Sequence, residues 1–138
     1  MPKFLVIDDS STMRKIVMKS IKGACDAEPS FCEAGDGVEA LEVLSKEEDV
    51  DCIFCDVNMP NMDGIEFVKA LRGQKQNVSV SVGDVSISKN VSNSIPILMV
   101  TTEGGLEKVQ EAMAAGANDY LRKPFQPADL AEKLKTLL

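Results

Sequence analysis

A chain of 138 residues has room for one domain with a single real core, and 44% hydrophobic with 27% charged residues is the balance of a folded protein, not a disordered one. The formal charge of -7, from 22 acids against 15 bases with no basic run, argues against direct binding to nucleic acid or an anionic membrane. Histidine is absent, which removes the commonest metal ligand and general base together, and no apolar stretch approaches membrane-spanning length, so a cytoplasmic protein is expected.

Phe4 to Ile7 form an apolar run that stops at Asp8-Asp9, a strand with an acidic end. Ser10, Ser11 and Thr12 then offer N-caps, and Met13, Ile16, Val17, Ile21 and Ala24 recur at helical spacing. Phe31 to Ala34 read as a second strand, Gly35-Asp36-Gly37 as a turn, and Val38, Leu41 and Leu44 as the face of a short helix. Cys52 to Asp56 read as a buried third strand, because the apolar run is bounded by Pro60, Asn61, Asp63 and Gly64. Asp63 suits the N-cap of a helix from about Gly64 to Leu71 better than Asp56 does, which leaves Asp56 at a strand's end without a structural duty.

Ile95 to Val100 form a fourth strand ending at Thr101, and Leu106, Val109 and Met113 mark a helix closed by Gly116. Asn118 to Leu121 give a short fifth strand ending near Lys123-Pro124. Pro127 opens a last helix with Leu130, Leu134, Leu137 and Leu138 on its apolar face. Five strands alternating with five helices imply an α/β fold, a doubly wound parallel sheet covered on both faces, and the whole chain, 1–138, reads as one domain.

Only the stretch of about 74–94 breaks this cadence. Within it, VSVSVGDVSIS from Val78 to Ser88 predicts a β-hairpin insert between the third helix and the fourth strand. A two-residue turn at Gly83-Asp84 sets Val82 opposite Val85 and Val80 opposite Ile87, with the serines on the other face. Such an insert leaves at the N-terminal ends of the strands, and its valine face calls for a partner, either a helix of this domain or a second copy of an otherwise monomeric chain. Four cysteines are present, and Cys52 and Cys55 spell C-x-x-C; on a strand, positions three apart point to opposite faces, so they read as core residues and not as a zinc site.

Ligand sites of open parallel sheets lie at the carboxyl ends of the strands. Asp8, Asp9, Asp56, Thr101 and Lys123 share that rim. Singly, each has a plain structural use as a helix cap, a dipole partner or a surface charge. Together, three close carboxylates repel one another unless a cation neutralises them, and a hard divalent ion such as Mg²⁺ fits that need. With a lysine and a hydroxyl beside them, they compose a clamp for a transferring phosphoryl group, with Asp56 as the in-line nucleophile.

FLVIDDSSTMRK, CDVNMPNMDG, PILMVTTE and NDYLRKPF occur here in register. On these motifs the chain resembles the receiver domain of two-component response regulators, most closely the stand-alone chemotaxis type, over nearly everything except the insert. The resemblance implies strand order 2-1-3-4-5, an order for which the chemotaxis receivers are themselves the reference example. It implies Asp56 as phosphoacceptor, Mg²⁺ on Asp9, Asp56 and the backbone carbonyl of Asn58 with Asp8 acting through water, Thr101 and Lys123 on the phosphoryl oxygens, and a cis Lys123-Pro124 bond. Thr101 would move to the new phosphoryl group and Tyr120 would turn inward, reshaping the surface around the last strand.

The implied partners are a histidine kinase and a downstream protein target, such as a flagellar switch or a phosphotransfer protein. The domain would catalyse only its own phosphorylation and dephosphorylation, without an effector domain. The resemblance also implies that Asn58 and Glu103 would flank the route of attacking water, and that Thr102, bulkier than the family's usual residue there, would narrow that route. Relaying phosphate onward is an alternative use of the same site. A Mg²⁺-dependent phosphatase with an aspartyl nucleophile is a rival reading, but it needs a second acid where this chain has Asn58.

Overall fold

The computed structural model describes residues 2–47, 49–72, 80–82, 85–87, 95–101, 106–123 and 125–137. Five parallel strands, β1 (Lys3–Ile7), β2 (Ser30–Ala34), β3 (Cys52–Asp56), β6 (Ile97–Thr101) and β7 (Asp119–Arg122), form one sheet in the order β2-β1-β3-β6-β7. In terms of the sheet's own strands this is 2-1-3-4-5, as the resemblance implies. Five helices alternate with them: α1 (Ser11–Ala24), α2 (Gly37–Lys46), α3 (Gly64–Arg72), α4 (Leu106–Ala115) and α5 (Pro127–Leu137). None of these is long and apolar enough to cross a membrane.

The three central strands are apolar without interruption over residues 4–7, 52–55 and 97–100 because both faces of the sheet are covered there, whereas the edge strands β2 and β7 carry Glu33, Asp119 and Arg122. Period-two alternation sends Leu5, Ile7, Ile53, Cys55, Ile97 and Met99 to one side, where they join Leu41, Leu44, Val68, Leu71 and Val109 from α2, α3 and α4. Phe4, Val6, Phe54, Leu98 and Val100 go to the other, against Val17 and Ile21 of α1 and Leu130 and Leu134 of α5. Cys52 and Cys55 are buried in opposite cores, and all four cysteines are free thiols, as the strand reading requires. Two helix positions depart from the expected stripe. Ile16 is 51% exposed and Met113 37% exposed, because Met13, Val17, Ile21 and Ala24 complete one face of α1 and Val109 with Ala112 one face of α4, leaving these two at the margin.

The helix starts follow from short polar side chains. Ser10 Oγ accepts from Met13 N at 3.2 Å, and Asp36 Oδ1 from Glu39 N at 2.8 Å. Asp63 and Glu66 form a reciprocal capping box, with Glu66 N donating to Asp63 Oδ1 at 2.9 Å and Asp63 N to Glu66 Oε1 at 3.1 Å. Asp63 therefore holds the role expected of it, and Asp56 is free of it.

Within the insert, β4 (Val80–Val82) and β5 (Val85–Ile87) pair antiparallel, with Val80 opposite Ile87 and Val82 opposite Val85, the register read from the sequence. The turn residues Gly83 and Asp84 lie outside the described residues. β5 runs alongside α2, so this domain's own helix is the neighbour the hairpin meets.

Arg72, the last residue of α3, closes the base of the insert. Its Nη2 donates to the carbonyl of Ile95 at 2.7 Å and to Asn118 Oδ1 at 2.8 Å, and its Nε to the carbonyl of Gly116 at 2.9 Å. Gly116 has φ +124°, and a Cβ there would fall 2.6 Å from Arg72 Cγ, so the glycine both ends α4 and makes room for the arginine. Arg72→Ala leaves these carbonyls without their charged donor, and we expect a loss of roughly 1.5–3 kcal/mol, read as a lower urea midpoint at unchanged slope. An unchanged midpoint would mean that water replaces the guanidinium without penalty.

Candidate functional site

The register of the sheet aligns the candidate side chains. Ile7 pairs with Cys55, Asp56 with Val100 and Thr101 with Arg122, so the residues at or just past these positions emerge along one edge. Asp8 continues β1, with its N–H on the Ala34 carbonyl at 3.0 Å, and it is only 4% exposed. Its turn is fixed twice, because Oδ1 accepts from Ser10 N at 3.0 Å and its carbonyl accepts from Arg14 Nη1 at 2.6 Å. Lys123 follows β7 and is held by its own N–H on the Thr101 carbonyl at 2.6 Å.

Asp56 ends β3, and the chain turns immediately behind it. A Cβ on Gly64 would come 2.3 Å from the Asp56 carbonyl oxygen, so no side chain fits where α3 begins. Gly64 N donates to the Val57 carbonyl at 2.9 Å, which closes this loop on itself. Asn61, with φ 63°, donates to Asp36 Oδ2 at 2.8 Å and ties the loop to the start of α2.

Carboxylate oxygens of Asp8, Asp9 and Asp56 lie within 4.8 Å of one another. Lys123 Nζ reaches into the group, 3.1 Å from Asp8 Oδ2 and 3.7 Å from Asp56 Oδ1. Val57 N donates to Asp56 Oδ1 at 2.9 Å. Burial pushes the Asp56 carboxyl up to about 6; Lys123 and the Val57 N–H oppose that rise, while Asp8 and Asp9 add to it. Three hard oxygen donors that repel one another, with one lysine between them, fit a small divalent cation, and the acidic cluster is consistent with Mg²⁺.

The structure thus brings Asp8, Asp9, Asp56 and Lys123 together, with Thr101, 1% exposed, one step beyond the strand partner of Asp56. Tyr120 stands apart on the edge strand, 38% exposed, its ring centroid 5.8 Å from Lys133 Nζ. Asn58 is exposed, and its Oδ1 accepts from Lys108 Nζ at 2.9 Å. Thr102, Glu103 and Pro124 lie outside the described residues. Sequence reasoning missed Arg14, Gly64 and Lys108; the fixed offset of Gly64 from Asp56 was a usable signal, whereas the two cations carried none.

The raised Asp56 value has a definite linkage. An unfolded aspartate titrates near ~3.9, so the folded state retains the proton longer and this group's contribution to stability falls as pH rises from there to about 6. Without divalent cation, Asp56→Asn should therefore be more stable than the parent at pH 7 by roughly 1–3 kcal/mol, the gap closing as pH drops through that window. Urea unfolding at pH 7 and pH 4 measures this, and equal gaps at both would contradict the buried-charge account.

The family profile described as the response regulator receiver domain matches residues 4–135. A chemotaxis protein CheY homolog of Campylobacter jejuni is 42% identical over 136 residues, covering 99% of this chain and 92% of the relative. The chemotaxis protein CheY1 of Helicobacter pylori is 40% identical, covering 99% of this chain and 96% of the relative. The structure of the chemotaxis protein CheY4 of Vibrio cholerae superposes with a TM-score of 0.77 at 39% identity, covering 100% of this chain and 99% of that one. With a profile match over nearly its full length and the acidic rim on the strand ends, the chain belongs to the response regulator receiver domains, in the company of the stand-alone CheY proteins.

Proposed function

We propose that this receiver accepts a phosphoryl group on Asp56 from a phosphohistidine of a sensor kinase and passes the signal on by binding a protein target. The observation that carries this reading is the Asp56 carboxylate at the end of β3, flanked by Asp8 and Asp9 and approached by Lys123 Nζ at 3.7 Å. An Asp56 oxygen attacks phosphorus, the phosphorus–nitrogen bond to the donor imidazole breaks, and an acyl phosphate forms. Asp9, Asp56 and the backbone carbonyl of Asn58 would hold Mg²⁺ directly, with Asp8 acting through water; the bound ion would neutralise charge between the carboxylates and the phosphoryl oxygens. Lys123 supplies a fixed positive charge to the transferred group and Thr101 a neutral donor.

Movement of Thr101 toward the phosphoryl group would open space for Tyr120, now outside on β7, to turn inward. Such a shift alters the surface of α4, β7 and α5 by biasing an existing equilibrium. The names of the relatives support chemotaxis as the pathway; the target would then be a protein of the motility apparatus, such as a flagellar switch component. The domain catalyses its own phosphorylation and dephosphorylation only. A phosphatase reading lacks support, since the position two residues past Asp56 is an amide and offers no general acid.

Incubation with Mg²⁺ and acetyl phosphate followed by intact mass measurement should add one phosphoryl group. Omission of Mg²⁺ and Asp56→Asn should each abolish that increment, and full labelling of Asp56→Asn would refute the assignment. Lys123→Ala and Thr101→Ala should still be labelled, more slowly, yet fail to change target affinity. Target binding by either labelled variant equal to that of the labelled parent would remove these two residues from the switch.

A further inference from the structure

Lys108 is the third residue of α4, and its Nζ donates to Asn58 Oδ1 at 2.9 Å, across 50 residues of sequence. Asn58 stands two residues past Asp56, on the loop that leaves the site. One turn further along α4, Glu111 pairs with Lys69 of α3 at 3.5 Å, so the helix is pinned to this side of the domain at two points. A lysine in the first turn of a helix works against the macrodipole, by about 0.3–1 kcal/mol at an exposed position. Helix formation therefore gives no reason for a cation there, whereas the contact with Asn58 does.

The contact also fixes the orientation of the amide. An ammonium carries three donors and no acceptor, so the carbonyl end of Asn58 is the end that faces Lys108, and the –NH₂ end is left for the opposite side. That choice matters for the loss of the acyl phosphate. In hydrolysis a water oxygen bonds to phosphorus, the phosphorus–oxygen bond to Asp56 breaks with its electron pair returning to the carboxylate, and a water proton is released to an acceptor. A side-chain carbonyl near the attacking water could take a hydrogen bond from it, while an –NH₂ group offers only donors and ties up a lone pair of the water instead.

We propose that Lys108 is a positioning residue for dephosphorylation: by holding Oδ1 of Asn58 toward α4, it denies the attacking water an acceptor and lengthens the life of the acyl phosphate. The proposal rests on Asp56 being the phosphoacceptor and adds to that reading the residue that sets the duration of the signal.

The test uses the full chain, labelled with Mg²⁺ and acetyl phosphate and then freed of donor, with decay followed by intact mass. Lys108→Met, which keeps the length and removes the donor, should decay several-fold faster than the parent. Lys108→Arg, which keeps a donor, should decay as the parent does. In an Asn58→Ala background, Lys108→Met should have no further effect, since the amide through which it acts is gone. Decay of Lys108→Met that is unchanged or slower overturns the proposal, and so does acceleration that persists without Asn58, because Lys108 would then act by its charge alone. If the parent itself takes no label, the phosphoacceptor reading fails and this proposal with it; a labelled parent with an unaltered variant lifetime sinks the proposal alone.

Discussion

The repulsion among Asp8, Asp9 and Asp56 is the constraint on which the rest of the molecule depends. Their oxygens are held within 4.8 Å of one another, and the Lys123 ammonium stands at the Asp8 and Asp56 carboxylates to offset that charge. Such a cluster tends to drive its own loops apart. It persists because each acid is attached to a strand whose neighbours on both faces are fully buried, so that separating the carboxylates would mean opening the cores on either side of β1 and β3. The site stores unfavourable charge, and the sheet supplies the stiffness that keeps it in place. A group arriving with the opposite charge relieves that strain, which gives a physical reason for such a rim to bind a cation first and a phosphoryl group second.

Stiffness at the strands coexists with lighter fastenings on the helix side. α4 meets the Asp56 loop and α3 through Asn58–Lys108 and Lys69–Glu111, both exposed, while β7 lies at the sheet edge with Tyr120 and Lys133 outside. Exposed polar contacts of this type contribute only ~0–1 kcal/mol each. The polar fastenings on the side of the molecule made of α4, β7 and α5 are thus weak, and it is the buried Val109, Ala112, Leu121, Leu130 and Leu134 that hold these elements to the domain.

How much of this was legible in the sequence follows from the range of the interactions concerned. Apolar runs ending in acids, the capping sequence at Asp63 and the alternation in the insert are local patterns, and each was visible. Even the opposite burial of Cys52 and Cys55 follows from strand periodicity alone. The order of the strands is a property of the whole topology, and it came from resemblance to a known family. Lys108 and Arg72 could not be picked out, because a surface lysine and a helix-ending arginine have many innocent uses. Only the fold brings Lys108 to Asn58 and Arg72 to Ile95, Gly116 and Asn118. Ile16 erred in the other direction, since helical spacing cannot tell the centre of an apolar stripe from its edge.

The clasp at Arg72 anchors the insert at its base. With Arg72 Nη2 bonded to the Ile95 carbonyl, the chain leaves and re-enters the domain at nearly one point. Lengthening an excursion anchored in this way is inexpensive in chain entropy, about 0.6 kcal/mol for each doubling, so a longer segment there has little effect on folding. The same geometry makes the position a grafting port. A fluorescent reporter or a binding peptide spliced between Arg72 and Ile95 would be anchored at the end of the sheet away from the carboxylates, beside the helix α2 that β5 runs along.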